Sequence, residues 1–83
     1  MKIFDELLNR TIEVNKVNGY NLYWQKDELG VTFVYTIKEM VVFGKKYNTV
    51  ESVGRTWFAE MSDEDRNKWI DEIVMVNPAY KEA

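Results

Sequence analysis

Few residues in this chain can do chemistry, and those that stand together are charged. Asp63, Glu64 and Asp65 are three consecutive carboxylates, a set that can bind a divalent cation or imitate nucleic-acid phosphates. Lys38, Lys45, Lys46 and Arg55 form a basic set interleaved with aromatics. Proteins use that pattern on a sheet to stack and neutralise single-stranded RNA or DNA. Ser52 and Ser62 are the candidate nucleophilic hydroxyls. The chain has no histidine and no cysteine. The commonest general base, the thiolate nucleophile, the cysteine zinc site and the disulfide framework are therefore all missing.

Each charged set has a simpler reading. Three consecutive carboxylates on a helix point in different directions and do not converge on one ion. At a helix N-terminus they oppose the positive end of the dipole, worth roughly 0.3–1 kcal/mol each. Ser52 and Ser62 read as helix N-terminal residues. Four scattered glycines make no phosphate loop. Glu39 and Glu51 interrupt the basic set, so a solvated sheet edge explains it. Metal, cofactor and catalytic residues are all expected to be none.

The chain has 83 residues, 46% of them apolar, with a net charge of −3. That size predicts one domain, residues 1–83, burying about 60–65% of its unfolded surface, with 78–83 as a loose tail. The charge is uneven: residues 1–59 carry +1 and residues 60–83 carry −4, which sets the C-terminal part against nucleic acid. No apolar run approaches the ~18–20 residues of a membrane span. The opening Met-Lys-Ile-Phe-Asp-Glu places acids where a secretion signal needs an apolar stretch. The expected location is the cytoplasm. Residues with AT-rich codons number 33 against 11 with GC-rich codons, which suggests an AT-rich source such as a low-GC bacterium, its plasmids or its phages.

Positioning these groups falls to elements read from periodicity. Ile3, Phe4, Leu7 and Leu8 have helical spacing, predicting a short helix over Lys2–Asn9. Asn18-Gly19 signals a hairpin. A two-residue loop divides Ile12 and Val14 from Leu22 and Trp24 across the two faces. A three-residue loop, Val17-Asn18-Gly19, gathers Ile12, Val14, Tyr20, Leu22 and Trp24 on one face, and that register is preferred. Lys26–Gly30 reads as a turn and Val31–Ile37 as a strand. Lys38-Glu39 is either a turn or part of one longer strand.

Asn48 or Thr49 reads as the cap of a helix, with Val50, Val53, Trp57 and Met61 as its stripe. Ser62 caps a second helix, buried through Trp69, Ile70, Ile73 and Val74 and stopped by Asn77-Pro78. The expected fold is α+β: a short N-terminal helix, an antiparallel sheet of three or four strands, then two C-terminal helices packed on one sheet face.

In that arrangement Tyr23 and Val34 fall on the sheet face away from the helices, and Val41 and Phe43 join them if Lys38-Glu39 is a turn. They form an apolar patch unless the N-terminal helix covers them. The function expected is non-catalytic protein–protein binding, by an accessory protein of a phage or mobile element that modulates a host protein. The partner is a protein of unspecified identity or a second copy of the chain, with no membrane involved. The alternative is a nucleic-acid-binding module working through Lys38, Lys45, Lys46 and Arg55.

Overall fold

The computed structural model describes residues 1–82. Six strands run as an antiparallel meander: β1 (Lys2–Asp5), β2 (Arg10–Glu13), β3 (Asn15–Lys16), β4 (Tyr23–Lys26), β5 (Thr32–Val42) and β6 (Lys45–Thr56). A 3-10 turn at Phe58–Glu60, the helix α1 (Asp63–Val76) and a second 3-10 turn at Pro78–Tyr80 follow. β1 and β2 pair with each other, and β3-β4-β5-β6 form a four-stranded sheet. Only Val14 separates β2 from β3, so one chain segment passes from the first sheet to the second. At the far side the Glu6 amide donates to the Asn48 carbonyl at 2.8 Å, bringing the end of β1 onto the free edge of β6. The meander is thereby rolled up.

Rolling creates two cores, one on each face of the four-stranded sheet. Inside the roll lie Ile3, Ile12, Val14 and Val50, with Tyr23, Tyr35 and Ile37 packed against them. On the other face Leu22, Val34, Phe58 and Ile70 pack beneath α1. The alternation along β5 serves both: Thr32, Val34 and Thr36 point one way, Phe33, Tyr35 and Ile37 the other.

The expected fold is corrected in three places. First, Lys2–Asn9 is not a helix but β1 and a turn. Asp5 is wholly buried. Its carboxylate accepts hydrogen bonds from the Leu8 amide (3.0 Å), the Thr49 hydroxyl (2.9 Å), the Val50 amide (3.2 Å) and the Arg10 guanidinium (3.3 Å). In the first turn of an exposed helix that carboxylate contributes at most about 1 kcal/mol, against roughly 1.5–3 kcal/mol for a hydrogen bond to a charged group. Asn9, at φ 50°, leaves the helical region altogether.

Second, there is one C-terminal helix rather than two. Asn48–Met61 is occupied by β6 and the first 3-10 turn. Val50 and Val53, read as one helical stripe, stand three residues apart in a strand and so face opposite sides. β6 slips register opposite Val34 and Tyr35, so Val53 is an extra residue. Val50 enters the roll and Val53 turns toward α1, and the slip keeps Gly54 on the α1 side as well, against Trp69. Thr49, Val50, Val53 and Thr56 are β-branched and suit the strand, and the eleven-residue β5 supplies the partner they need.

Third, the hairpin does not turn at Val17-Asn18-Gly19. Asn15 pairs with Trp24 and Lys16 with Tyr23, and the Val17 amide donates to the Leu22 carbonyl, leaving residues 18–21 as the loop. This register divides Ile12 and Val14 from Leu22 and Trp24. Because both faces of the sheet are covered, that division fills two cores where the expected register fills one.

α1 itself begins as the sequence indicates: the Ser62 hydroxyl accepts from the Asp65 amide at 3.2 Å. Residues 78–82 are tied down rather than loose. The Tyr80 carbonyl accepts from the Asn21 amide, the Glu82 amide donates to the Gly19 carbonyl, and Glu82 pairs with Lys16.

Candidate functional site

β5 and β6 outrun the rest of the sheet. β4 pairs with β5 only from Thr32 to Tyr35, whereas β6 pairs with it to Val42. The distal halves therefore form a two-stranded arm, and the molecule is 42 Å long but only 18 Å thick. Phe43 and Gly44 make its turn, both with positive φ (50° and 76°), the pairing that a two-residue hairpin of matching twist requires. Glycine supplies that conformation freely at the second position. At the first position the favoured residues are Asn, Asp and Gly, yet Phe stands there.

The side chains on the arm are apolar and uncovered. Phe43 is fully exposed (104%), Val41 is 62% exposed and Met40 is 37% exposed. Of the four residues expected to form a patch, Val41 and Phe43 meet here. The other two are elsewhere. Val34 is completely buried beneath α1, beside Leu22, Phe58 and Ile70. Tyr23 is half-buried against the core inside the roll. Val34 lies on the α1 side of the sheet, and the face that Tyr23 occupies is covered by the roll rather than open to solvent. Met40 escaped the sequence reading. A continuous apolar run, Met40–Phe43, ending at Gly44 is the signal that marks the turn and its neighbours.

The basic set is dispersed. Lys38 pairs with Glu51 at 2.9 Å, and Lys46 pairs with Glu39 at 3.7 Å. Lys45 sits over the Tyr47 ring, 5.5 Å from its centroid. Arg55 lies ten residues from Lys45 along β6, about 33 Å at the rise of a strand. It borders a separate hollow of about 250 Å³ with Val31, Thr56 and the half-exposed Trp57. No continuous basic track joins these groups.

The remaining chemical candidates are absorbed locally. Asp63, Glu64 and Asp65 form the first turn of α1. Among the described residues no three acidic side chains gather as a metal ion needs. Ser52 is an exposed strand residue opposite Tyr35, not a helix-start residue. An open cleft of about 420 Å³ runs between the β3–β4 hairpin and α1, with Trp24, Phe58, Asp63 and Arg66 among its walls. Its two cations are already engaged: Lys16 pairs with Glu82, and Arg66 donates to the Phe58 and Ala59 carbonyls at 2.8 Å each and stacks on the Phe58 ring. Arg66 in this wall is a structural group, holding the 3-10 turn against the helix.

Three groups have displaced titrations: the exposed Lys16 ammonium is raised by its hydrogen bond and ion pair with Glu82, and two carboxyls are lowered. Burial by itself pushes the Asp5 carboxyl up. The hydrogen bonds from Leu8, Thr49, Val50 and Arg10 outweigh it and hold the group below its ordinary range. The exposed Glu60 carboxyl is lowered by its hydrogen bond and ion pair with Lys26. All three sit in structural contacts, away from the arm.

No described helix is long and apolar enough to cross a membrane. In comparison with known proteins, no family model, curated protein or solved structure matches this chain.

Proposed function

We propose that this is a small non-catalytic binding protein of the cytoplasm, acting by protein–protein contact through the tip of its β5–β6 arm. One observation carries the reading: Phe43 is fully exposed at a left-handed position. A left-handed conformation costs an ordinary residue about 1–2 kcal/mol, and a ring left in water returns no burial energy to the fold. Asn at the same place relieves the strain. A residue that the monomer uses for nothing, held where it costs stability, is the mark of a contact made outside the monomer. Val41 and Met40 extend the apolar area beside it. The AT-rich composition supports an accessory role in a phage or mobile element, directed at a host protein.

Phe43→Asn separates the two roles of the residue. Affinity capture from the source cell's lysate is expected to lose the specific partner about tenfold or more with this variant, as for a buried aromatic anchor. The same variant melts higher than the parent, by about 1 kcal/mol of stability. An unchanged set of captured proteins, with the variant folded, rules out the arm tip as the working surface.

A further inference from the structure

The same arm has an open hydrogen-bonding edge, and we infer that its occupant is the β5 strand of a second copy, paired antiparallel about a two-fold axis at Met40. This extends the reading of the arm as a binding surface, assigning its β5 edge, as distinct from the Phe43 tip, to a second copy.

The ladder fixes which groups are free. The Val50 amide donates to Asp5, and the Asn48 amide to Glu6, so both point away from β5. Their partners in the pairing, Ile37 and Glu39, therefore point away from β6, and so does Val41 by the two-residue period. The Ile37 carbonyl is taken by the Asn21 side-chain amide at 2.8 Å. Beyond it β4 has ended, and the N–H and C=O groups of Glu39 and Val41 face outward along an uncovered edge. The opposite edge of the sheet is treated differently: Asp5 and Glu6 close β6 with their carboxylates and the Glu6 amide. Natural sheets cover or charge their edges, and an apolar edge left open is a template for another strand.

A second β5 fits this edge in charge as well as in hydrogen bonding. Outward residues must meet outward residues, so Glu39 of one copy stands opposite Val41 of the other, twice, exchanging four backbone hydrogen bonds. Met40 then faces its own equivalent and Lys38 faces Val42. No like charges oppose each other, whereas a register centred on Glu39 sets two carboxylates together and one centred on Lys38 sets two ammoniums together. Lys38 and Glu39 are already paired within their own copy, with Glu51 and Lys46, so neither brings an unpaired charge to the contact. The contact is self-complementary, as two-fold symmetry demands.

Sedimentation equilibrium of the whole chain is expected to show a reversible dimer. Val41→Pro removes an outward amide from each copy while sparing the β5–β6 ladder, and is expected to weaken the dimer about 100-fold. Val41→Lys places a charge on the same edge and serves if proline disturbs the arm. Circular dichroism and melting confirm that either variant is folded. Because the chain has no cysteine, Met40→Cys reads the register directly. It is expected to cross-link rapidly on oxidation, its Cα atoms lying about 4.5 Å apart in a non-hydrogen-bonded pair. Val41→Cys, offset by two residues from its equivalent, is expected to cross-link slowly.

A monomeric wild type, or Met40→Cys that oxidises no faster than Leu29→Cys on a distant exposed turn, overturns the inference. Edge amides that shift only with an added extended peptide, in a chain that stays monomeric, overturn it in favour of a different strand. Either result leaves the proposed arm-tip function standing if Phe43-dependent capture persists. A dimer of the expected register without Phe43-dependent capture defeats the proposed function and keeps this inference.

Discussion

Asp5 shows how one residue can set a local structure. An ionised group taken out of water must be met by donors, and the four that reach Asp5 come from the turn after β1, from β2 and from the edge of β6. Its carboxyl is held below the range it has in the unfolded chain, so it binds protons less readily when folded. The stability this confers is fully present above the unfolded value, roughly 4. It is lost as pH falls through the folded value. Asp5→Asn is expected to flatten the acid limb of a melting-temperature profile while lowering stability at neutral pH. Asp5→Ala is expected to do more harm, stranding the Thr49 hydroxyl and the Val50 amide at about 1–3 kcal/mol each. A variant whose acid limb matches the parent's would show that other carboxylates govern acid unfolding.

At the scale of elements, α1 is the segment whose local signals and final state agree. Ser62, the acidic first turn and Asn77-Pro78 mark its limits, and each acts on the backbone of its own helix. Ser62→Ala is accordingly expected to cost about 1 kcal/mol in chemical denaturation; no measurable loss would mean the cap contributes nothing to the fold. β1 and β6 are the opposite case. Ile3, Phe4, Leu7 and Leu8, like Val50, Val53, Trp57 and Met61, have helical spacing, yet both segments are strands or turns. Neither sequence reveals that Asp5 will be buried against Val50 or that a bulge will make Val53 an extra residue. The arm lies between these cases. Phe43-Gly44 is legible as a two-residue turn once β6 is known to be a strand, and illegible while that segment reads as a helix.

The whole molecule is a rolled sheet with a second core on its outer face, and Leu22 and Val34 sit wholly buried in that outer core. The two cores share β4 and β5, so they are expected to unfold together. Leu22→Ala should lower stability by about 3 kcal/mol in a single transition with an unchanged denaturant slope. A second, separate transition would show that the roll and the helix layer fold independently.

By itself the sequence determined the chain's chemical limits and its local stops. These include the lack of thiol and imidazole, the acidic C-terminal part, the helix capped by Ser62 and stopped by Asn77-Pro78, and the turn ending at Gly30. Only the tertiary structure decided which face each strand residue occupies, and with that the placing of Val34 in a core and of Val41 and Phe43 in solvent. The physical reason is the two-residue period of a strand. One slip in register, or one bulge, carries every side chain to the opposite face, and nothing in the local sequence opposes it. The choice is made by what covers each face. In this chain both faces of the sheet are covered, so the patterns that split their apolar residues are the ones that fit.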